Sequence, residues 1–193
     1  IKTFDNTNGI IAGSDYFDIL PYTWLSGNKN TSLSKPMTVV LTQSRAKTYF
    51  GDLRPEAMIG KTITYDDSLT VTVTGILQDW NKNSDFNFSE FISFSTITSS
   101  FLRNQIPLDN WGFLNHGSQE LVKLSPGVDP TQVNKQFPEF IKKHLDPDPK
   151  TKLFAQLQPF TSIHFPREYG GEGNKADLTV MYILSAVAFF ILI

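Results

Sequence analysis

Apolar and polar positions change their spacing several times along this chain, and each spacing names an element. From Leu69 to Thr74 valine and leucine alternate with threonine, the period of a strand with one buried and one wet face. Thr62–Tyr65 precedes it across Asp66-Asp67-Ser68, so residues 62–77 read as a β-hairpin. Met37–Leu41 is a short β-branched run and predicts a strand. Phe86, Phe88 and Phe91–Ile97 suggest another strand, Gln119–Leu124 a further one. Lys152–Gln158 reads as the last, with Leu153, Ala155 and Leu157 on one face.

Helical spacing appears in three places before the C-terminal run. Ser14 can cap a short turn through Asp15–Leu20, which Pro21 ends, and Gly27–Asn30 is a loop. Thr42 or Ser44 can cap a helix over Gln43–Phe50, with Gly51 as its stop and Ala46, Tyr49 and Phe50 toward the core. Asp129 is an N-cap candidate with Pro130 at the first helical position. Val133, Phe137, Phe140, Ile141 and Leu145 then form an apolar stripe. Pro138 lies inside that stripe and should kink or split the helix, and Asp146–Pro149 stops it. Ser125-Pro126-Gly127 is a turn, and residues 98–118 are irregular with Trp111 as their anchor. This order of mixed strands and helices is α+β.

The final run breaks the pattern. Leu178–Ile193 carries no charge over 16 residues, and only Thr179 and Ser185 are clearly polar. A core helix keeps a polar stripe, whereas this one is apolar on every face. A bilayer span takes about 20 apolar residues, so residues 177–193 read as the start of a transmembrane helix, with Tyr182 as an interfacial aromatic. Its flank, residues 164–177, carries Arg167 and Lys175 against Glu168, Glu172 and Asp177. Cytoplasmic flanks are rich in Lys and Arg, so the preceding domain is expected to face away from the cytoplasm. The chain opens on Ile1 with no basic, apolar leader pattern and reads as a piece of something longer. Gly170-Gly171-Glu172-Gly173 precedes the apolar run as a flexible juxtamembrane linker, and Gly170, Gly171 and Gly173 are candidate hinge residues.

Composition mostly excludes. The 193 residues contain no cysteine, which removes thiol enzymes, disulfide scaffolds and cysteine-ligated metals. With 17 basic against 19 acidic residues there is no electrostatic footprint for nucleic acid. The histidines, His116, His144 and His164, are far apart and lack zinc-ligand spacing. His144, beside Lys143 at a charged helix end, reads as solvated, and His164, between Ile163 and Phe165, as packed. Asp66-Asp67 and Asp146-x-Asp148 are paired carboxylates in turn contexts, which turn chemistry explains without a metal. No phosphate loop and no nucleophile elbow are present. The reading is a non-catalytic chain with no catalytic, cofactor or metal residues.

Four segments in sequence carry a resemblance: Asp15-Tyr16-Phe17-Asp18-Ile19, Val39 through Gly51, Ile59-Gly60-Lys61-Thr62-Ile63, and Val71 through Leu77. The chain resembles the periplasmic core domain of MacB/FtsX-type ABC transporter permeases. Lys123 through Pro130 and Leu157 through His164 resemble the later part of the version common in Bacteroidetes-type bacteria. The resemblance implies a two-lobed periplasmic domain over residues 1–176, with a porter-like half and an inserted lobe at residues 60–112, followed by the family's second membrane helix. It implies an inner-membrane location with this domain in the periplasm. The implied partners are a cytoplasmic ABC ATPase, separate or fused, and a second permease copy. A periplasmic adaptor, a lipoprotein or an outer-membrane component would complete the set. The implied role is to transmit ATP-driven motion to substrate at the periplasmic side. The alternative is a partner-binding or signalling module of an FtsX-like permease that regulates a cell-wall or envelope-stress partner. A membrane-anchored enzyme is the third reading, and it would require a deep pocket of converging titratable groups.

Overall fold

The computed structural model describes residues 8–82, 84, 86–111, 120–145, 153–162 and 178–192. The chain divides into two compact units, residues 1–110 with 120–123, and residues 111–119 with 124–193.

The first unit is a six-stranded mixed sheet. Its strands are β1 (Gly9–Ala12), β2 (Trp24–Ser26), β3 (Thr38–Thr42), β4 (Thr62–Tyr65), β5 (Leu69–Leu77) and β6 (Glu90–Ser93). The spatial order is β1-β6-β3-β5-β2, with β4 also paired to β5. β1 runs parallel to β6, and β3 runs parallel to β5 but antiparallel to β6. The hairpin expected at residues 62–77 forms with Thr62 opposite Thr72 and Tyr65 opposite Leu69. Its three-residue connection, Asp66-Asp67-Ser68, places Asp66 and Asp67 at φ 48° and 54°, left-handed values that aspartate tolerates.

β5 carries the expected buried series Leu69, Val71 and Val73, then a bulge. Val39 pairs with Val73 but Val40 pairs with Gly75, so Thr74 is the extra residue. The bulge re-phases the strand, and Ile76 returns to the face of Val73. Thr74 Oγ1 donates to the Ser32 carbonyl at 2.6 Å, and Ser32 Oγ donates to the Thr74 carbonyl at 3.0 Å. The Gly27–Ser32 loop is thereby stitched to the bulge.

The two sheet faces bury different chemistry. On one, Val39, Leu41, Val71, Val73 and Ile76 pack with Ala46 and Met58. These last two come from α2 (Gln43–Phe50) and α3 (Pro55–Met58). On the other, Phe91 meets the rings of Tyr16, Phe17 and Tyr22 at 5.2–5.4 Å, and Phe17 meets Trp24 at 5.0 Å. Tyr16 and Phe17 belong to α1 (Tyr16–Ile19). Asp15 rather than Ser14 is its N-cap residue, without a side-chain hydrogen bond.

α2 matches its expected bounds, and Gly51 at φ 81° closes it. Neither Thr42 nor Ser44 caps it with its own side chain. Instead Asp79, beyond β5, accepts the Ser44 N–H at 3.0 Å and the Ser44 hydroxyl at 2.5 Å. A carboxylate at a helix N-terminus is the favourable charge for the orphan amides there.

Several expected strands are corrected. The run Phe91–Ile97 is β6 only to Ser93, then a 3₁₀ turn at Phe94–Thr96, and Phe86 and Phe88 stay in the loop. Hydroxyls compete with the ladder there: Ser93 Oγ donates to the Leu33 carbonyl at 2.9 Å, and Thr96 Oγ1 accepts the Met37 N–H at 2.9 Å. Of Gln119–Leu124, residues 120–124 are described and form no strand. Nor do residues 153–158, where the Leu157 N–H goes to Asn134 Oδ1 at 2.7 Å. A strand requires a neighbour: residues 120–123 belong to the first unit but pair with none of its strands, and the described residues of the second unit contain no strand.

In the second unit the expected helix is split into α4 (Pro130–Asn134) and α5 (Phe137–His144). Asp129 accepts the Thr131 N–H at 2.9 Å as its cap. The break falls ahead of Pro138, which sits in the first turn of α5, where its missing N–H costs nothing. Asp146–Pro149 lie outside the described residues. α6 (Leu178–Leu192) is the apolar run as a helix. Its 15 residues span about 22 Å at 1.5 Å per residue, against about 30 Å of hydrocarbon. Among the described residues no helix is long and apolar enough to cross a membrane.

The bulge generates a prediction. A Cβ at Gly75 would lie 2.6 Å from Trp24 Cζ3 and 3.1 Å from Val40 Cγ2. Gly75→Ala should lower the urea unfolding free energy by about 1–3 kcal/mol through overpacking. Combined with Trp24→Leu it should cost less than the two changes summed, since one removes the other's clash. Full additivity would remove this explanation.

Candidate functional site

Gly170, Gly171 and Gly173 lie outside the described residues, as do His116 and His164. Among the described residues no group of three or more His, Cys, Asp or Glu side chains could hold a metal. His144 departs from its expected solvated state. It is half-buried at the end of α5, with its ring 4.7 Å from Trp111 and 4.8 Å from Phe140. The helix end is charged, with Lys142 and Lys143 beside it, but the i, i+4 spacing brings its ring against Phe140. Trp111, expected as an anchor, packs on both of these rings yet is itself 56% exposed.

The site that the sequence reading missed is a buried carboxylate. Glu90 opens β6 and has no exposed surface. It sits opposite Leu41 of β3 and Gly9 of β1, on the face covered by α2. Oε1 accepts from Arg45 Nε at 2.5 Å and from the Tyr49 hydroxyl at 2.9 Å. Oε2 accepts from the Tyr65 hydroxyl. Arg45 also lies over the Tyr49 ring, its guanidinium carbon 4.7 Å from the centroid. Arg45 and Tyr49 are one turn apart on α2, and Tyr65 ends β4. Three elements distant in sequence thus meet on one side chain. The trace in the sequence is faint: a lone Glu before an apolar strand, and an Arg-x-x-x-Tyr spacing.

The electrostatics follow from burial. Burial raises the Tyr65 and Tyr49 phenols, and the neighbouring Glu90 carboxylate raises them further, Tyr49 to about 12. On the other face burial raises Tyr16, with adjacent Tyr22 adding to it, and lifts Tyr22 to about 12. Burial alone would lower Arg45, but its bond and attraction to Glu90 leave it raised. Both oxygens of the carboxylate accept hydrogen bonds, from Arg45, Tyr49 and Tyr65. Its chemistry is structural: it holds positions.

Two predictions follow from this geometry. Removing one partner strands a buried charge, so Arg45→Met should cost about 3–5 kcal/mol in denaturant unfolding. An effect under 1 kcal/mol would mean that the pair is solvated. The phenols set the second. All four have native pKa values above the ordinary 10.0, so the unfolded chain releases their protons first. Their contribution is intact below pH 10 and is lost as pH rises toward 12. Unfolding free energy measured from pH 8 to 12 should fall across that window, with phenolate absorbance appearing in step with unfolding. A flat profile would contradict the assignment.

Comparison with known proteins places the fold in a family. The model of the MacB-like periplasmic core domain matches residues 2–140. A crystal structure of a domain ascribed to a permease protein from Porphyromonas gingivalis aligns at 18% identity and TM-score 0.54. The alignment covers 91% of this chain and 70% of that one. The periplasmic region of MacB from Actinobacillus actinomycetemcomitans aligns at 21% identity and TM-score 0.49, over 74% of this chain and 58% of that one. No curated protein matches the sequence. With the family model covering most of its length, and a solved domain agreeing in fold, this chain belongs to the MacB-like periplasmic core domain family.

Proposed function

We propose that this domain transmits ATP-driven motion within an ABC transporter permease to export or extract substrate at the periplasmic side of the inner membrane. The observation that carries the reading is the family match over residues 2–140. The apolar α6 supports it. Val180, Met181, Tyr182, Ile183, Leu184, Val187 and Phe189 are 47–70% exposed, a helix surface suited to lipid rather than water. Its hydroxyl at Ser185 is satisfied within the helix, donating to the Met181 carbonyl at 2.8 Å, as a residue in hydrocarbon must be.

In this reading the ATPase is a cytoplasmic partner and the permease works as a dimer. Residues 170–173 form the joint between domain and membrane helix, and the stiff sheet of the first unit delivers the displacement. A periplasmic adaptor, lipoprotein or outer-membrane component receives it. The domain itself contributes no catalytic group.

The absence of cysteine makes the location directly testable. A single cysteine in the exposed first turn of α3, Glu56→Cys, should react with a membrane-impermeant maleimide in intact spheroplasts. Reaction only after lysis would overturn the periplasmic placement. Replacing residues 170–173 with a rigid helical segment should impair transport while leaving the domain's thermal unfolding unchanged. Undiminished transport would count against the joint.

A further inference from the structure

A buried ion pair is a poor way to stabilise a core. Taking both charges out of water costs several kcal/mol per ion, and apolar side chains of similar volume often do as well or better. Glu90 nevertheless sits wholly buried beside an aliphatic core that could extend into its place. What the charges add and apolar groups lack is direction.

Two elements around Glu90 need direction. α2 is eight residues long, and Ala46 is its sole fully buried residue, with Tyr49 and Phe50 half-buried. Such a shallow apolar grip is compatible with more than one placement on the sheet, because dispersion and burial are non-directional. β4 is four residues long and pairs only with β5. Its turn uses Asp66-Asp67 rather than the Asn-Gly or Asp-Gly that fixes hairpin register most strongly. A one-residue slip of β4 would send Tyr65 to the opposite face, away from Glu90.

We infer that the Glu90 cluster is a registry lock: Arg45 and Tyr49 fix where α2 sits on the sheet, and Tyr65 fixes the register of β4. The three donors arrive from α2 and β4 onto one carboxylate of β6. The bonds are directional and engage both oxygens, so a shifted helix leaves a buried charge unpaired and a slipped strand leaves one of its oxygens without its donor. Competing placements are penalised more than the native one is stabilised. Asp79, gripping the α2 N-terminus through Ser44, acts in the same sense.

The test separates uniqueness from stability. In the variant Arg45→Met, Tyr49→Phe, Tyr65→Phe, Glu90→Leu every polar partner is removed together. Studied as the whole chain in detergent micelles, it should melt within a few degrees of the parent or above it. Its amide NMR resonances for α2 and β4 should broaden or double, and α2 amides should exchange at least tenfold faster, while β3 and β5 stay protected. Tyr65→Phe alone frees one element, and its broadening should be confined to β4. A single sharp set of resonances with unaltered exchange in both variants would overturn the lock. So would a melting temperature depressed in the fourfold variant as far as in Arg45→Met, which would make the cluster an ordinary stabilising contact.

Discussion

β5 has to satisfy three strands and two faces at once, and the first unit is built around how it does so. One edge pairs with β3, while the other is divided between β4 at the hairpin end and β2 at the far end. An unbroken two-residue alternation would put Ile76 on the wrong face relative to Val73. The bulge at Thr74 absorbs one residue, and the side chain that would then crowd Trp24 is absent because position 75 is glycine. The Gly27 loop closes on the same spot: a Cβ there would lie 2.4 Å from the Thr74 carbonyl oxygen. Bulge, glycines and the Ser32 bonds are one device, and the separation of an aliphatic face from an aromatic face depends on it.

That dependence explains what could be read from the sequence. The hairpin, α2, the Asp129-Pro130 helix start and the Gly51 stop all announce themselves through neighbours within a few residues. Periodicity, turn chemistry and capping are local signals, so they survive in the linear text. β1 and β2 are four and three residues long and exist because β6 and β5 offer edges to them. Nothing inside Gly9–Ala12 marks it as a strand before β6 is in place. The same holds in reverse for residues 120–124 and 153–158, whose composition suits a strand but which lack a described partner. Pairing is a tertiary property, and β-propensity alone does not create it.

The Glu90 cluster was illegible for a sharper reason. A sequence reader looks for chemistry where titratable residues gather, and these four are spread from residue 45 to residue 90. Tyr49 reads as an ordinary core position of a helix and Arg45 as its wet side, and a glutamate before an apolar run looks like a strand end. Only the sheet order β1-β6-β3-β5 brings β6 under α2 and turns the tip of β4 toward both. The family resemblance, by contrast, was legible, because it rests on the order of local segments rather than on any contact between them.

The three donors around Glu90 show how this cluster uses its charge. Here a buried charge is spent entirely on holding a short helix and a short strand in one arrangement. Under the transmission role proposed above, that is a sensible use of desolvation, because a helix free to slip by a turn would dissipate the motion. Rigidity at this point is specified by direction rather than by the size of the core, which is why a domain with a modest apolar grip on α2 can still behave as a stiff body.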